Sequence, residues 1–274
     1  MINISSQQQE DLMKLLYTLA LLLNISYAQE TIQVDIIPQQ RLAGAPYLGG
    51  AQEDFVEKQK TLIEDKQLSL WGVGLFSGTD LFSKAIKAVT MSKTSHVGLI
   101  LTDQDGIKYS YESTGSAGDV LRGISPQVQI HLWDDVVLNY SGGIDQRQFT
   151  FTEPERNDPS VISPYVFSRI GMPYEKNILD LVSAVTRGNT EGTTDSVFCS
   201  EETARFLMNL SYLSPDRIAD NYLPRDFTSK EYVPLVGCSL GKQTTVKKEQ
   251  ARIKSFPPSV LFRRSDFKTY RRTA

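Results

Sequence analysis

A chain of 274 residues is long enough to bury one large core, and its 40% apolar and 22% charged residues are those of a folded globular protein, which excludes disorder throughout. Two cysteines exclude a disulfide-dense scaffold, and two histidines with no His-x-x-x-His or Cys-x-x-Cys pair leave a metal centre without its usual ligands. The net charge of −3 conceals an asymmetry: from Lys242 onward ten basic residues stand against two acidic ones, which leaves about −11 for everything before them.

The chain opens on a segment with two readings. Met13 to Leu23, followed by Ser26-Tyr27-Ala28, has a lysine, a short apolar run and a small-x-small site, the parts of a cleaved secretory signal. The same stretch reads as an amphipathic helix, with Ser6 and Gln9 as its capping box and Leu12, Leu15, Leu16, Leu19 and Leu23 along one face. The first reading makes the protein secreted or periplasmic, and the second makes it cytoplasmic or virion-associated. Residues 38–50 are a linker by composition, and Asp54 to Gln67 a charged helix, so residues 1–67 form an N-terminal helical arm.

From residue 68 the pattern changes. Leu70 to Phe76 predicts a strand and Leu81 to Val89 a helix with Leu81, Phe82, Ala85, Ile86 and Val89 inward. His96 to Leu101 predicts an apolar strand that turns at Asp105-Gly106 into a partner, Ile107 to Ser113. Residues 126–151 predict further strands broken near Ser141-Gly142-Gly143. Helices are expected over Ser160 to Ile170 and Ile178 to Val185, with a helix start at Ser214-Pro215-Asp216. The expected fold is a single α+β domain over residues 68–238, followed by a basic tail over 239–274. That tail suits an anionic partner (nucleic acid, lipid or an acidic protein), or folds back on its own acidic domain.

Cys199 stands just before Ala204, Leu207, Met208 and Leu210, which recur at helical spacing. A cysteine in the first turn of a helix meets unsatisfied N–H groups and the positive end of the dipole, both of which favour thiolate. A buried, inert cysteine is the plain structural alternative. A nucleophilic thiol needs a base, and His96 opens the apolar strand while Glu112 lies on its hairpin partner, near the same end. His131, in Ile130-His131-Leu132-Trp133, reads as an ordinary strand residue, and Cys238 as structural. There is no Gly-x-Ser-x-Gly elbow, and Gly237 to Gln243 lacks the spacing of a phosphate loop.

Taken in order, Ser95-His96-Val97-Gly98-Leu99-Ile100, Tyr111-Glu112, Gly171-Met172-Pro173-Tyr174, Phe198-Cys199-Ser200-Glu201 and Leu223-Pro224-Arg225-Asp226-Phe227 resemble circularly permuted papain-like cysteine hydrolases. These are the YiiX-like branch of the NlpC-type superfamily, related to the lecithin:retinol acyltransferase-like group. In that branch the histidine strand precedes the cysteine helix. The resemblance covers about residues 70–230. Leu70 to Phe76 departs from it in lacking the aspartate of the family's opening Gly-Asp.

The resemblance implies an antiparallel sheet packed against the cysteine-bearing helix. It implies Cys199 as nucleophile, His96 as base and Glu112 as the residue that orients it, with Tyr174 and Ser200 as substrate contacts and neither metal nor cofactor. The expected activity is hydrolysis of an amide, in a peptide or murein crosslink, through a thioester. The alternatives are lipid acyl hydrolysis or transfer, and an idle scaffold serving as a structural or binding component of a virion or envelope. Specificity would sit in loops such as 113–128 and 186–196.

Overall fold

Both faces of the central strands are apolar, and the computed structural model, which describes residues 51–114, 124–174 and 196–249, shows why. Seven antiparallel-paired strands form one sheet in the order β4-β3-β2-β1-β5-β6, with β7 also paired to β5. They are β1 (Ser69–Ser77), β2 (His96–Thr102), β3 (Lys108–Thr114), β4 (Gln127–Leu132), β5 (Gly143–Phe151), β6 (Cys238–Leu240) and β7 (Thr244–Lys247). The helices are α1 (Ala51–Ile63), α2 (Leu81–Thr90), α3 (Trp133–Asn139), α4 (Pro159–Arg169) and α5 (Cys199–Asn209). In β2, Val97, Leu99 and Leu101 enter the main core, while Ile100 enters a smaller cluster with Phe76, Trp133 and Ile144 on the other face. A strand covered on both sides loses the alternation of a half-exposed one, hence its continuous apolar run.

The β2–β3 hairpin sets the register on which the site depends. Leu99 pairs with Tyr111 and Leu101 with Tyr109. The Asp103 carboxylate accepts the N–H groups of Asp105 and Ile107, each at 2.9 Å, and Gly106 takes a φ of 79° that a side chain would strain.

Helix α5 is held onto the main-core face by Ala204, Phe206 and Leu207, none of which has exposed surface. The buried Glu202 adds a polar tie. It accepts the Tyr111 hydroxyl of β3 at 2.5 Å and receives Arg169 of α4 through Nε at 3.2 Å and Nη2 at 2.5 Å. A buried carboxylate with a guanidinium fork and a phenol has its charge matched and fixes the roll of its helix.

Three expectations change. Residues 133–139 were expected within the strand region but form α3, because Trp133 is buried against Phe76 and the helix end is satisfied by Lys247. Lys247 Nζ donates to the carbonyls of Val137, Leu138 and Tyr140 at 2.7, 3.0 and 2.5 Å. The expected boundary at residue 238 falls inside the sheet, since β6 and β7 both pair with β5, so the first part of the basic end is sheet. No helix starts at Ser214: the Ser214 hydroxyl and the Asp216 carboxylate bond each other at 2.6 Å in a turn, and the Ser214 N–H pairs with Pro234. The backbone there is returning to meet Leu235, which leaves no length for a helix. In α2 Ile86 is buried as expected. The side chains of Leu81, Phe82, Ala85 and Val89, the 1–50 segment, the helix expected at 178–185 and the chain beyond 249 lie outside the described residues.

Arg147 closes the far side of the sheet. From β5 it donates to four carbonyls, those of Phe227, Thr228, Leu240 and Gly241, at 2.8 to 2.9 Å. Arg147→Met keeps the stem but leaves those acceptors without donors. It should lower stability by about 3 kcal/mol or more, read as a lower urea midpoint at unchanged slope.

Candidate active site

His96 is the first residue of β2 and pairs with Phe76 of β1, their rings 5.2 Å apart. The turn leading into it is pinned, with the Ser95 N–H on the Phe76 carbonyl at 2.8 Å and the Ser95 hydroxyl accepting the Gly78 N–H at 2.9 Å. Strand alternation puts His96, Gly98 and Ile100 on one face. Extending the register one step beyond Leu99 and Tyr111 brings Gly98 opposite Glu112, so His96 and Glu112 are diagonal neighbours across the two strands. Gly98 makes the diagonal passable: a β-carbon there would stand 2.8 Å from the Glu112 β-carbon. The His96 Nε2 to Glu112 Oε2 distance is 2.5 Å, and the other carboxylate oxygen accepts the Ser110 hydroxyl at 3.0 Å.

Cys199 is the first residue of α5, 4% exposed. The helix lies on the main-core face, and its start reaches the end of β2. There the sulfur lies near enough to the His96 ring and to the backbone N–H groups of Val97 and Ser200 for all three to stabilise its charge. Nε2 being taken by Glu112, Nδ1 is the ring nitrogen left for the sulfur. Sulfur, imidazole and carboxylate form one chain of contacts.

The electrostatics follow from that chain. Burial opposes charge on His96, but the sulfur of Cys199 and the carboxylate of Glu112 outweigh it and raise its pKa to about 10. Burial pushes the Cys199 thiol up, and the imidazolium, its hydrogen bond and the two N–H groups pull it below its ordinary value. Glu112, also buried, is held below the usual carboxylate range by His96 first and by His131 and Ser110 after it. All three shifts favour a thiolate–imidazolium pair backed by a carboxylate.

The remaining expected residues have distinct places. Tyr174 stands edge-on to Phe198 with ring centroids 5.9 Å apart, and it bridges Val197, so it braces the run-in to Cys199. Ser200 is 1% exposed, and what it brings is an N–H near enough to the sulfur to help lower the thiol pKa. His131 lies on β4 opposite Ser110, bonded to Gln129 at 2.8 Å, and Cys238 is buried at the start of β6. Tyr140 is a site residue that sequence reasoning missed. Its ring meets Phe76 at 5.1 Å, and its phenol lies close enough to Ser95, Glu112 and Cys199 to feel all three. It follows α3 directly, and without that helix nothing in the sequence aimed it here. Among the described residues no group of three or more His, Cys, Asp or Glu side chains is arranged to hold a metal ion.

No family model and no curated protein matches the chain. Among solved structures, the metalloprotein YiiX from Escherichia coli O157:H7 is similar with a TM-score of 0.38 and 17% identity, over 68% of this chain and 99% of that one. A likeness that slight carries no argument, so the reading of the site rests on its own geometry.

Gly98→Ala tests the diagonal. The added methyl must displace Glu112, so the fold should persist with modest loss of stability while the His96 pKa drops from about 10 toward its ordinary 6.5. The His96 ring carbon proton, followed by NMR across pH, reads that shift.

Proposed function

We propose that this chain is a cysteine hydrolase of the circularly permuted papain-like type, cleaving an amide bond in a peptide or murein crosslink, with an ester or thioester as the alternative target. The observation that supports this most is the sulfur of Cys199, at a helix start, electrostatically coupled to an imidazole held by a buried carboxylate. The antiparallel sheet with the histidine strand earlier in the chain than the cysteine helix fits the permuted arrangement.

In this mechanism the Cys199 thiolate attacks the carbonyl carbon, and the oxygen takes the negative charge. The Cys199 N–H, an orphan donor of the first helical turn, is the first candidate to receive that oxyanion, a contribution of order 10²–10³ in rate per donor. His96 passes its Nδ1 proton to the leaving amine as the carbon–nitrogen bond breaks, which leaves a thioester on Cys199. Water then attacks the thioester carbon, giving its proton back to His96, and the carbon–sulfur bond breaks to release the acid and restore the thiolate. Glu112 stays ionised throughout and keeps the ring turned to the sulfur. Tyr174, beside Phe198, is assigned to substrate contact, while the buried Ser200 serves the sulfur through its N–H and not the substrate.

The pH window follows from the shifts. His96 has a raised pKa, so its contribution to stability is complete below 6.5 and lost as pH rises through about 10. Glu112 has a lowered one, so its contribution is present above 4.5 and lost as pH falls through its folded value. The charged pair is therefore complete near neutrality.

The test is alkylation by iodoacetamide at pH 6, mapped by mass spectrometry. Cys199 should react at least tenfold faster than Cys238, whose pKa burial pushes up to about 11, and Cys199→Ala should abolish the fast phase without unfolding the chain. His96→Ala should slow Cys199 by about 10²-fold or more at that pH. Labelling confined to Cys238 would overturn the proposal.

A further inference from the structure

Helix α5 starts without an ordinary cap. Phe198 occupies the position where Ser, Thr, Asp or Asn would accept a backbone N–H, and it has no acceptor to offer. What holds the start is the reverse contact: Glu201 Oε2 accepts the N–H of Phe198 at 3.2 Å. The other oxygen, Oε1, receives Arg205 through Nε at 2.8 Å and Nη2 at 2.8 Å. The same Nη2 reaches Asp220 Oδ1 at 3.0 Å, from the 3₁₀ turn Ala219–Asn221. Glu201 is 5% exposed while Arg205 and Asp220 are half-buried, so two carboxylates share one guanidinium at the edge of the core.

The other groups around the nucleophile are fixed independently. The Val197 N–H bonds the Pro173 carbonyl, the Val197 carbonyl accepts the Ser113 hydroxyl, and the Cys199 carbonyl accepts the Thr203 hydroxyl. Between those anchors Phe198 is held from both sides: its carbonyl accepts the Glu202 N–H at 2.9 Å, and its own N–H, on Glu201, fixes the other end of the residue from which the Cys199 peptide plane projects.

We propose that Glu201 is a positioning residue of the site: its carboxylate, gripped by Arg205 and coupled through it to Asp220, ties down the N–H of Phe198 and so sets the orientation of the Cys199 peptide and sulfur. The importance of this contact rests on the hydrolase reading; the contact itself does not.

A pH dependence comes with it. Burial first, and the charge of Asp220 second, raise the Glu201 pKa to about 7, while Arg205 and the Phe198 N–H work in the opposite direction. Arg205 also feels the repulsion of Arg169. A carboxylate whose folded pKa lies above its ordinary 4.5 adds stability fully below that value and loses it as pH rises through about 7. Ionised Glu201 therefore opposes folding above neutrality, and that is the state in which it accepts the Phe198 N–H most strongly. A residue kept only for stability would show the reverse sign.

The test compares the full chain with Glu201→Gln and Asp220→Asn. Amide hydrogen exchange at Phe198, followed by NMR, should show protection at pH 8 falling roughly tenfold or more in Glu201→Gln, as expected for losing a hydrogen bond to a charged acceptor. In the unsubstituted chain the same protection should fall as pH drops through about 7, and Asp220→Asn should move that inflection to lower pH by removing the charge that raises it. The Glu201→Gln unfolding midpoint at pH 8 should not be lowered. The Cys199 alkylation profile should carry a second inflection near pH 7 that Glu201→Gln lacks. Unchanged Phe198 protection in Glu201→Gln, or a midpoint lowered along with protection throughout the chain, overturns the positioning role. Phe198 exchange does not use the thiol, so an inert Cys199 would sink the hydrolase reading alone, and unchanged protection would sink this inference alone.

Discussion

Charge buried at a strand end has to be matched on the spot, and the site is organised around that requirement. His96 keeps a proton in a setting that disfavours charge because a sulfur stands on one side of the ring and a carboxylate on the other. None of the three groups is comfortable there alone. The carboxylate needs the ring, the ring needs both partners, and the thiolate needs the ring together with two backbone donors. The local structure serves this match. Gly98 opens the diagonal, the pinned turn at Ser95 fixes the start of β2, and α5 brings its first residue to the open end of the sheet.

Two consecutive acidic residues of α5 divide the work of holding that helix. Glu202 faces the core, where Tyr111 and Arg169 match its charge and tie the helix to β3 and α4. Glu201 faces the opposite flank and meets Arg205, Asp220 and the Phe198 N–H. One fixes where the helix lies and the other how its first residue is presented. Acidic residues in the first turn also complement the helix dipole, so both sit where a carboxylate is least unfavourable before any partner is counted.

Much of this was legible in the sequence for identifiable reasons. The β2–β3 hairpin could be read because an apolar run, an Asp-Gly turn and a second run leave little freedom of register, and the register alone brings His96 and Glu112 together. The cysteine helix could be read because the apolar residues Ala204, Leu207, Met208 and Leu210 recur at helical spacing after a polar opening. Helix α3 could not, because its short apolar segment fits a strand equally well, and what decides it is Lys247, more than a hundred residues away. Tyr140 was missed with it. The pairing of β6 and β7 with β5 was hidden for a similar reason: a basic stretch looks like a solvated tail until its hydrogen bonds are known.

Lys247 therefore joins two parts of the chain that composition would treat separately. Its ammonium gathers three carbonyls at the end of α3, and the last of them belongs to Tyr140, whose phenol borders the sulfur and the carboxylate of the site. A shortened version ending just after Leu240, chosen to discard the basic end as an appendage, would remove β7 and the ammonium that closes this helix. The loss would reach the reactive centre through the aromatic pair Tyr140 and Phe76, although no residue deleted belongs to the proposed triad.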